Sequence, residues 1–247
     1  MWTYLIIFFC VAVVFAIFIR RVLFVLNKKG GRPPKQDLMD DDNEDLPAIP
    51  APENLTKSEE AEVEDLCKKG EELLNSGKED ESIKVFVQAL TINGLHVETQ
   101  QKLAVLYMKK QMFAAASALF KQLCEITNDP VHYSHLGLSL YQQNSFEEAR
   151  DAYQQAIDLD PSRPQRYVSL AQVYKAMEQF QNAIISLNKA IEMEKENMDF
   201  LFLMVELQAA SGNTEEAIIS LRKLLQIDPE NAEAKILLKN LLKSLSD

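Results

Sequence analysis

Small residues recur about every 34 positions along most of this chain, and this spacing constrains the fold more than any other feature. Ala149, Ala183 and Ala217 form one such series, and Ala116 and Ser82 continue it toward the N-terminus. A bulky residue stands four positions after each of them, at Phe86, Phe120, Tyr153, Leu187 and Leu221. A period of this length is typical of stacked supersecondary units. The sequence therefore predicts an array of repeated helical units.

The first half of each unit carries a second recurring pair, in which a large residue precedes a small one, as in Leu103-Ala104, Leu136-Gly137 and Leu170-Ala171. Two antiparallel helices approach closely only where one residue at each contact is small and a larger neighbour fills the remaining space. The 247 residues include only 7 Gly and 9 Pro, which is too little turn chemistry for an all-β fold. The pattern therefore favours an all-α chain of helix-turn-helix units.

This pattern resembles the tetratricopeptide repeat, in which Leu-Gly, Tyr, Ala, Phe and Pro recur in this order over about 34 residues. The resemblance implies a right-handed superhelix of five units, followed by a capping helix that covers the last unit. The units are assigned to residues 63–96, 97–129, 130–163, 164–197 and 198–231, and the cap to residues 232–247. The tryptophan of the family is replaced by Leu66, Gln100, Tyr133, Tyr167 and Leu201. Of these residues, Gln100 is expected to fill its place poorly.

The N-terminal residues predict a single transmembrane helix ahead of the array. Met1 to Ile19 contains no charged side chain, and as a helix it would span about 28 Å, close to the thickness of a bilayer core. Six cations follow the apolar run, at Arg20, Arg21, Lys28, Lys29, Arg32 and Lys35. We assign residues 1–29 to an uncleaved anchor with a basic flank, in which residues 2–26 contact the membrane. The positive-inside rule then places the array in the cytoplasm and the N-terminus outside.

Residues 30–62 are expected to form a disordered linker between the anchor and the array. The segment is acidic, and five of the nine prolines lie between Pro33 and Pro52. A segment of this composition cannot bury enough apolar area to offset the entropy lost on ordering.

The resemblance further implies that the first helix of each unit lines a concave groove that binds a protein or peptide partner. The groove-facing spacing selects largely aliphatic and aromatic residues in the middle units, and exposed apolar strips of this kind mark partner sites. The candidate groove residues are Gln101, Val105, Met108, Leu138, Tyr141, Val168, Gln172, Lys175 and Phe202. The alternative for each residue is that it packs against the neighbouring unit.

Chaperone-binding members of the family hold a C-terminal carboxylate with Lys, Asn and Arg on the groove helices. The matching positions here hold Cys67, Glu71, Lys102, Val131 and His135. A carboxylate clamp is therefore not expected.

Other chemistries find little support in the sequence. A net charge of -11 disfavours nucleic-acid binding, and three widely spaced cysteines suggest neither a disulfide framework nor a zinc knuckle. His132 and His135 are interpreted as neighbouring surface histidines, because no further ligand at suitable spacing completes a metal site. No residue stands in the motif of an activated nucleophile. We expect no enzyme activity, cofactor, metal or small-molecule substrate.

These features together predict a single-pass, membrane-anchored scaffold or adaptor that recruits a protein partner to the membrane. The arrangement is similar to that of bacterial inner-membrane proteins that hold a tetratricopeptide array in the cytoplasm. Two alternatives stay open at this point: a receptor on the outer face of an organelle, and a regulatory accessory subunit of a membrane-associated enzyme complex.

Overall fold

The computed structural model describes residues 55–245, and within this range the chain forms eleven α-helices and no strand. The helices are α1 (Lys57–Asn75), α2 (Glu79–Ile92), α3 (Val97–Lys109), α4 (Phe113–Thr127), α5 (Pro130–Gln142), α6 (Phe146–Leu159), α7 (Pro164–Ala176), α8 (Phe180–Met193), α9 (Met198–Ala210), α10 (Thr214–Ile227) and α11 (Ala232–Ser244). Each helix packs against the next one along the chain. The predicted all-α repeat architecture is confirmed.

The array begins earlier than the sequence predicted. Helix α1 starts at Lys57, within the segment 30–62 that was assigned to the linker. Thr56 and Glu59 form a reciprocal cap, since the Thr56 hydroxyl accepts from the Glu59 amide and the Glu59 carboxylate accepts from the Thr56 amide at 2.8 Å. The predicted anchor at residues 1–29 and most of the linker lie outside the described residues. Within the described part of the chain, no helix combines the length and apolar character needed to cross a membrane.

The two helices of a unit meet where a small residue of the first faces a bulky residue of the second. A Cβ added to Gly70 would lie 2.4 Å from the ring of Phe86, and one added to Gly137 would lie 2.9 Å from the ring of Tyr153. The same repeat positions hold the buried pairs Ala104 with Phe120, Ala171 with Leu187 and Val205 with Leu221. The smallest residues therefore stand opposite rings, and the largest, Val205, stands opposite an aliphatic side chain.

Gln100 has a structural role that the sequence did not reveal. The side chain is fully buried, and its amide nitrogen donates to the carbonyl oxygen of Gly94 at 2.6 Å and to Oε1 of Gln122 at 3.1 Å. The amide nitrogen therefore ties the turn after α2 to helix α4, whereas the Oε1 atom of Gln100 is buried without a hydrogen-bond partner. The expectation that Gln100 fills its place poorly is corrected for the nitrogen and holds for the oxygen.

A buried arginine joins the third and fourth units in a similar way. Arg166 on α7 donates to the Asp160 carboxylate at 2.6 Å and to the Ser134 hydroxyl at 3.2 Å. Hydrogen bonds from Ser162 and from Arg166 hold the pKa of Asp160 well below its ordinary range. The guanidinium therefore fixes α7 against α5, which are both first helices of their units.

Helix α11 covers the end of the fifth unit. Ala234 is buried, and the half-buried Leu237, Leu238 and Leu241 pack against the core that the fourth and fifth units share. The position that holds Gly70 in the first unit holds the exposed Lys239 here. A long charged side chain at this position suits a solvent-facing surface.

Candidate partner-binding groove

Three of the predicted groove residues are open to solvent on the first helices of successive units. Val105 on α3 is 51% exposed and Leu138 on α5 is 36% exposed. Gln172 occupies the same repeat position on α7 and is also exposed. The groove-facing position thus changes from aliphatic to polar along the array.

Met108, Gln101 and Tyr141 are half-buried. The Ser139 hydroxyl donates to the His135 carbonyl at 2.8 Å, and its oxygen lies 2.8 Å from the sulfur of Met108, so this methionine on α3 contacts α5. The Tyr141 ring lies 5.6 Å from the ring of Phe146 and packs on the core that the third and fourth units share. These side chains shape the floor of the groove more than its open surface.

Val168 and Phe202 are more buried than the expectation of an open groove requires, whereas Lys175 is partly exposed. Val168 is only 5% exposed and belongs to the core that the fourth and fifth units share. Phe202 is half-buried against the same core, and Lys175 forms an ion pair with Glu206 at 2.5 Å. Val168 therefore packs into the core that the fourth and fifth units share, which is the alternative that the sequence left open.

A cavity of about 480 Å³ opens in the first half of the array, between α1, α3, α4 and α5. Its wall contains apolar residues, two histidines, two lysines and one glutamine. These residues are Leu74, Gln101, Lys102, Val105, Leu106, Lys109, Phe120, Val131, His132 and His135. Of the predicted groove residues, Gln101 and Val105 line this cavity.

His132 is held as one neutral tautomer in the cavity wall. The Thr127 hydroxyl donates to the Leu123 carbonyl at 2.7 Å, so it accepts from Nδ1 of His132 at 2.8 Å. Nε2 of His132 then accepts from the side-chain amide of Gln101. The histidine is 3% exposed, and burial lowers its pKa. The interpretation of His132 as a surface residue was wrong, since contacts from another unit cover it.

His135 is half-buried and stacks on Phe120, with ring centroids 5.0 Å apart and ring planes 18° apart. Burial is the main cause that lowers the pKa of His135, and the neighbouring His132 adds to the effect. Both histidines therefore present uncharged rings to the cavity at neutral pH.

Both lysines in the cavity wall have carboxylate partners. Lys102 contacts Glu71 and Glu98, and Lys109 contacts Glu79. The cations are therefore balanced by carboxylates of the array itself.

One cluster beside the cavity has the composition of a metal site. Ligand atoms of Cys67, Glu71 and Glu98 lie within 4.8 Å of one another, as do those of Glu64, His96 and Glu98. Lys102 contacts both Glu71 and Glu98, so an ammonium group already supplies the positive charge that these carboxylates require. The sequence did not reveal this cluster, because its members come from two units.

Val131 also lines the cavity, although the groove-facing spacing did not select it. Val131 is exposed at the rim of the cavity, at a repeat position that holds Glu64, Glu98, Gln165 and Asp199 in the other units. A position-by-position comparison of the units would have identified this single apolar residue.

Models of the tetratricopeptide repeat match residues 66–94, 137–178 and 175–241. These matches and the helical pairs above define a repeat-array protein of the class that mediates protein–protein interaction. The chain contains tetratricopeptide repeats. No curated protein sequence matches it.

Several solved structures share this fold. A crystal structure of MamA is 22% identical, with a TM-score of 0.66, and the alignment covers 70% of this chain and 96% of MamA. Residues 41 to the end of MamA from Desulfovibrio magneticus RS-1 give 13% identity and a TM-score of 0.62, covering 69% and 97% of the two chains. YrrB, described as a tetratricopeptide-repeat protein with an unusual peptide-binding site, is 16% identical, with a TM-score of 0.61. That alignment covers 70% of this chain and 90% of YrrB. At these identities the similarity establishes the fold alone.

Proposed function

We propose that the array is a scaffold that binds a peptide or helix of a partner protein along its concave groove. The observation that carries this proposal is the exposure of Val105 and Leu138 at the same position of adjacent first helices, beside an open cavity. Exposed aliphatic side chains at a concave, pre-formed surface are typical of peptide-binding sites. The peptide-binding site named for the structurally similar YrrB supports the same assignment.

We further propose that the N-terminal residues tether the array to a membrane, with the array in the cytoplasm. The uncharged run from Met1 to Ile19 and the cations from Arg20 to Lys35 support this topology. A tether would raise the local concentration of a bound partner at the membrane, so a groove of modest affinity would be sufficient to recruit it.

The binding proposal is tested by placing charge on the groove. The double variant Val105→Glu, Leu138→Glu should lose the partner that co-purifies with the wild-type chain, because binding would bury two unpaired carboxylates. Both side chains are exposed, so the fold should tolerate the change. The matched control is Ile185→Glu, Ile219→Glu, since these residues are 61% and 63% exposed on the second helices α8 and α10. Helicity and melting temperature should be unchanged in both variants. Retention of the partner by the groove variant would exclude this site.

The topology is tested independently of the partner. Protease added to intact spheroplasts should leave the array undigested, and the mature chain should retain Met1 to Ile19. Digestion without lysis, or a mature N-terminus beyond Ile19, would contradict the proposed topology while leaving the groove untouched.

A further inference from the structure

We propose that the cavity between α1, α3, α4 and α5 is an anchor pocket for one large apolar side chain of a partner segment whose flanking residues are basic. This inference rests on the proposed function and specifies the chemistry of the partner. The pocket is defined by Val105 and Val131 at its rim, Leu106 and Phe120 in its wall, and His132 and His135 at one side.

The size and lining of the pocket suit an apolar anchor. A volume of about 480 Å³ lies within the range of pockets that enclose small ligands, and it accommodates a Trp, Phe, Met or Leu side chain. The Phe120 ring stacks on His135, so this part of the wall is already packed before a partner binds. Anchors of this kind dominate binding energy when they fill a pre-formed pocket near the centre of an interface.

The polar groups of the wall do not suit an acidic anchor. His132 is neutral and directs its Nε2 lone pair at Gln101, and Lys102 and Lys109 are already paired with carboxylates. An incoming carboxylate would have to displace Glu71, Glu98 or Glu79 from its lysine. It would therefore exchange one ion pair for another and lose its own hydration.

The surface beside the pocket is acidic. Glu71 and Glu98 share the ammonium group of Lys102, so these three side chains carry one net negative charge. Glu64 adds a further carboxylate next to Glu98, and its nearest cationic candidate is Nε2 of His96 at 3.5 Å. Lys or Arg residues beside the anchor would meet this surface, and the net charge of -11 favours the approach of a basic segment.

The first stage of the test is a selection with a random peptide library displayed on phage, with the full chain in detergent as the target. Enriched peptides should share one large apolar residue with Lys or Arg within a few positions of it. A synthetic peptide of the enriched sequence then serves as the probe, and its affinity is measured by fluorescence anisotropy. Replacing its apolar anchor with Ala should raise the Kd at least about tenfold.

The second stage uses variants that change the pocket alone. Val105→Phe fills the cavity from its exposed rim and should raise the Kd about tenfold or more, whereas Ile185→Phe on the exposed face of α8 should leave it unchanged. Glu64→Gln should weaken binding about two- to fivefold and reduce its dependence on salt. Circular dichroism of each variant should match the parent.

The outcomes separate this inference from the proposed function. If the enriched peptides are acidic, or if Val105→Phe binds them as well as the parent while Leu138→Glu does not, the anchor pocket is excluded and the groove remains the binding site. If no peptide is enriched, or if neither Val105→Phe nor Leu138→Glu changes the Kd of the selected peptide, both proposals are refuted.

Discussion

Gly70 lies inside α1, five residues before its end, where an added methyl group would enter the ring of Phe86. The new Cβ would lie 2.4 Å from Cε1, 2.7 Å from Cδ1 and 2.9 Å from Cζ of that ring. Two effects of Gly70→Ala oppose each other. Alanine stabilises a helix interior by about 0.5–1 kcal/mol relative to glycine, whereas overpacking a core costs about 1–3 kcal/mol.

The clash should outweigh the gain in helix propensity. Phe86 is fully buried, and the contact involves several ring atoms, so no flexible chain end is available to move aside. We expect Gly70→Ala to lower the free energy of unfolding by about 1–2 kcal/mol, the difference between the two effects. For an array of this size the loss corresponds to a fall in melting temperature of about 2–8 °C.

The array itself suggests the compensating change. In the fourth unit the same two positions hold Ala171 and Leu187, both fully buried. The double variant Gly70→Ala, Phe86→Leu recreates this pair in the first unit and should be more stable than the sum of the single changes predicts, with a coupling energy of about 0.5–2 kcal/mol. Urea denaturation followed by circular dichroism measures all four proteins. Equal or higher stability of Gly70→Ala, or simple additivity of the two changes, would refute the packing described for this unit.

Two further predictions concern a turn and a titration. Gln111 and Glu178 adopt φ values of 60° and 59° at the turn position that Gly77 and Gly212 occupy in other units, so replacing either with Gly should raise the melting temperature, with a gain of up to about 1 kcal/mol. Burial holds the pKa of His132 below the ordinary value of 6.5, so the unfolded chain binds the proton first as the pH falls. The free energy of unfolding should therefore decline as the pH falls through 6.5, and His132→Asn, followed by urea denaturation at several pH values, should show a smaller decline.

The repeat positions made most of the fold predictable. Ala149 and Tyr153 recur with their counterparts at a fixed spacing, and a fixed spacing defines which helix faces meet. The capping box at Thr56 and Glu59 is also a local pattern, yet the acidic composition around it led to a boundary at residue 63. Composition averages over a segment, whereas a cap acts through individual hydrogen bonds, and here the cap decides where α1 begins.

The groove was only partly predictable, for a different physical reason. Helical spacing determines which residues share a face, so Val105 and Leu138 were placed correctly on the exposed side. The burial of Val168 and His132 depends on how far each neighbouring unit covers that face. His132 is enclosed by Gln101 from the preceding unit and by Thr127 from the preceding helix. Contacts between units are set by the superhelical placement of the helices, which no single helix pattern encodes.

The change of character along the groove has a consequence for how a partner would bind. The pocket and Val105 provide an apolar first half, whereas Gln172 and the Lys175–Glu206 pair provide a polar second half. When the apolar anchor of a partner segment binds in the pocket, only the residues on one side of the anchor extend toward α7 and α9. Reversing the segment would direct those residues toward α1 and away from Gln172 and the Lys175–Glu206 pair. The groove as proposed therefore selects chain direction as well as composition, and a peptide with the reversed order of the same residues should bind more weakly than the selected one.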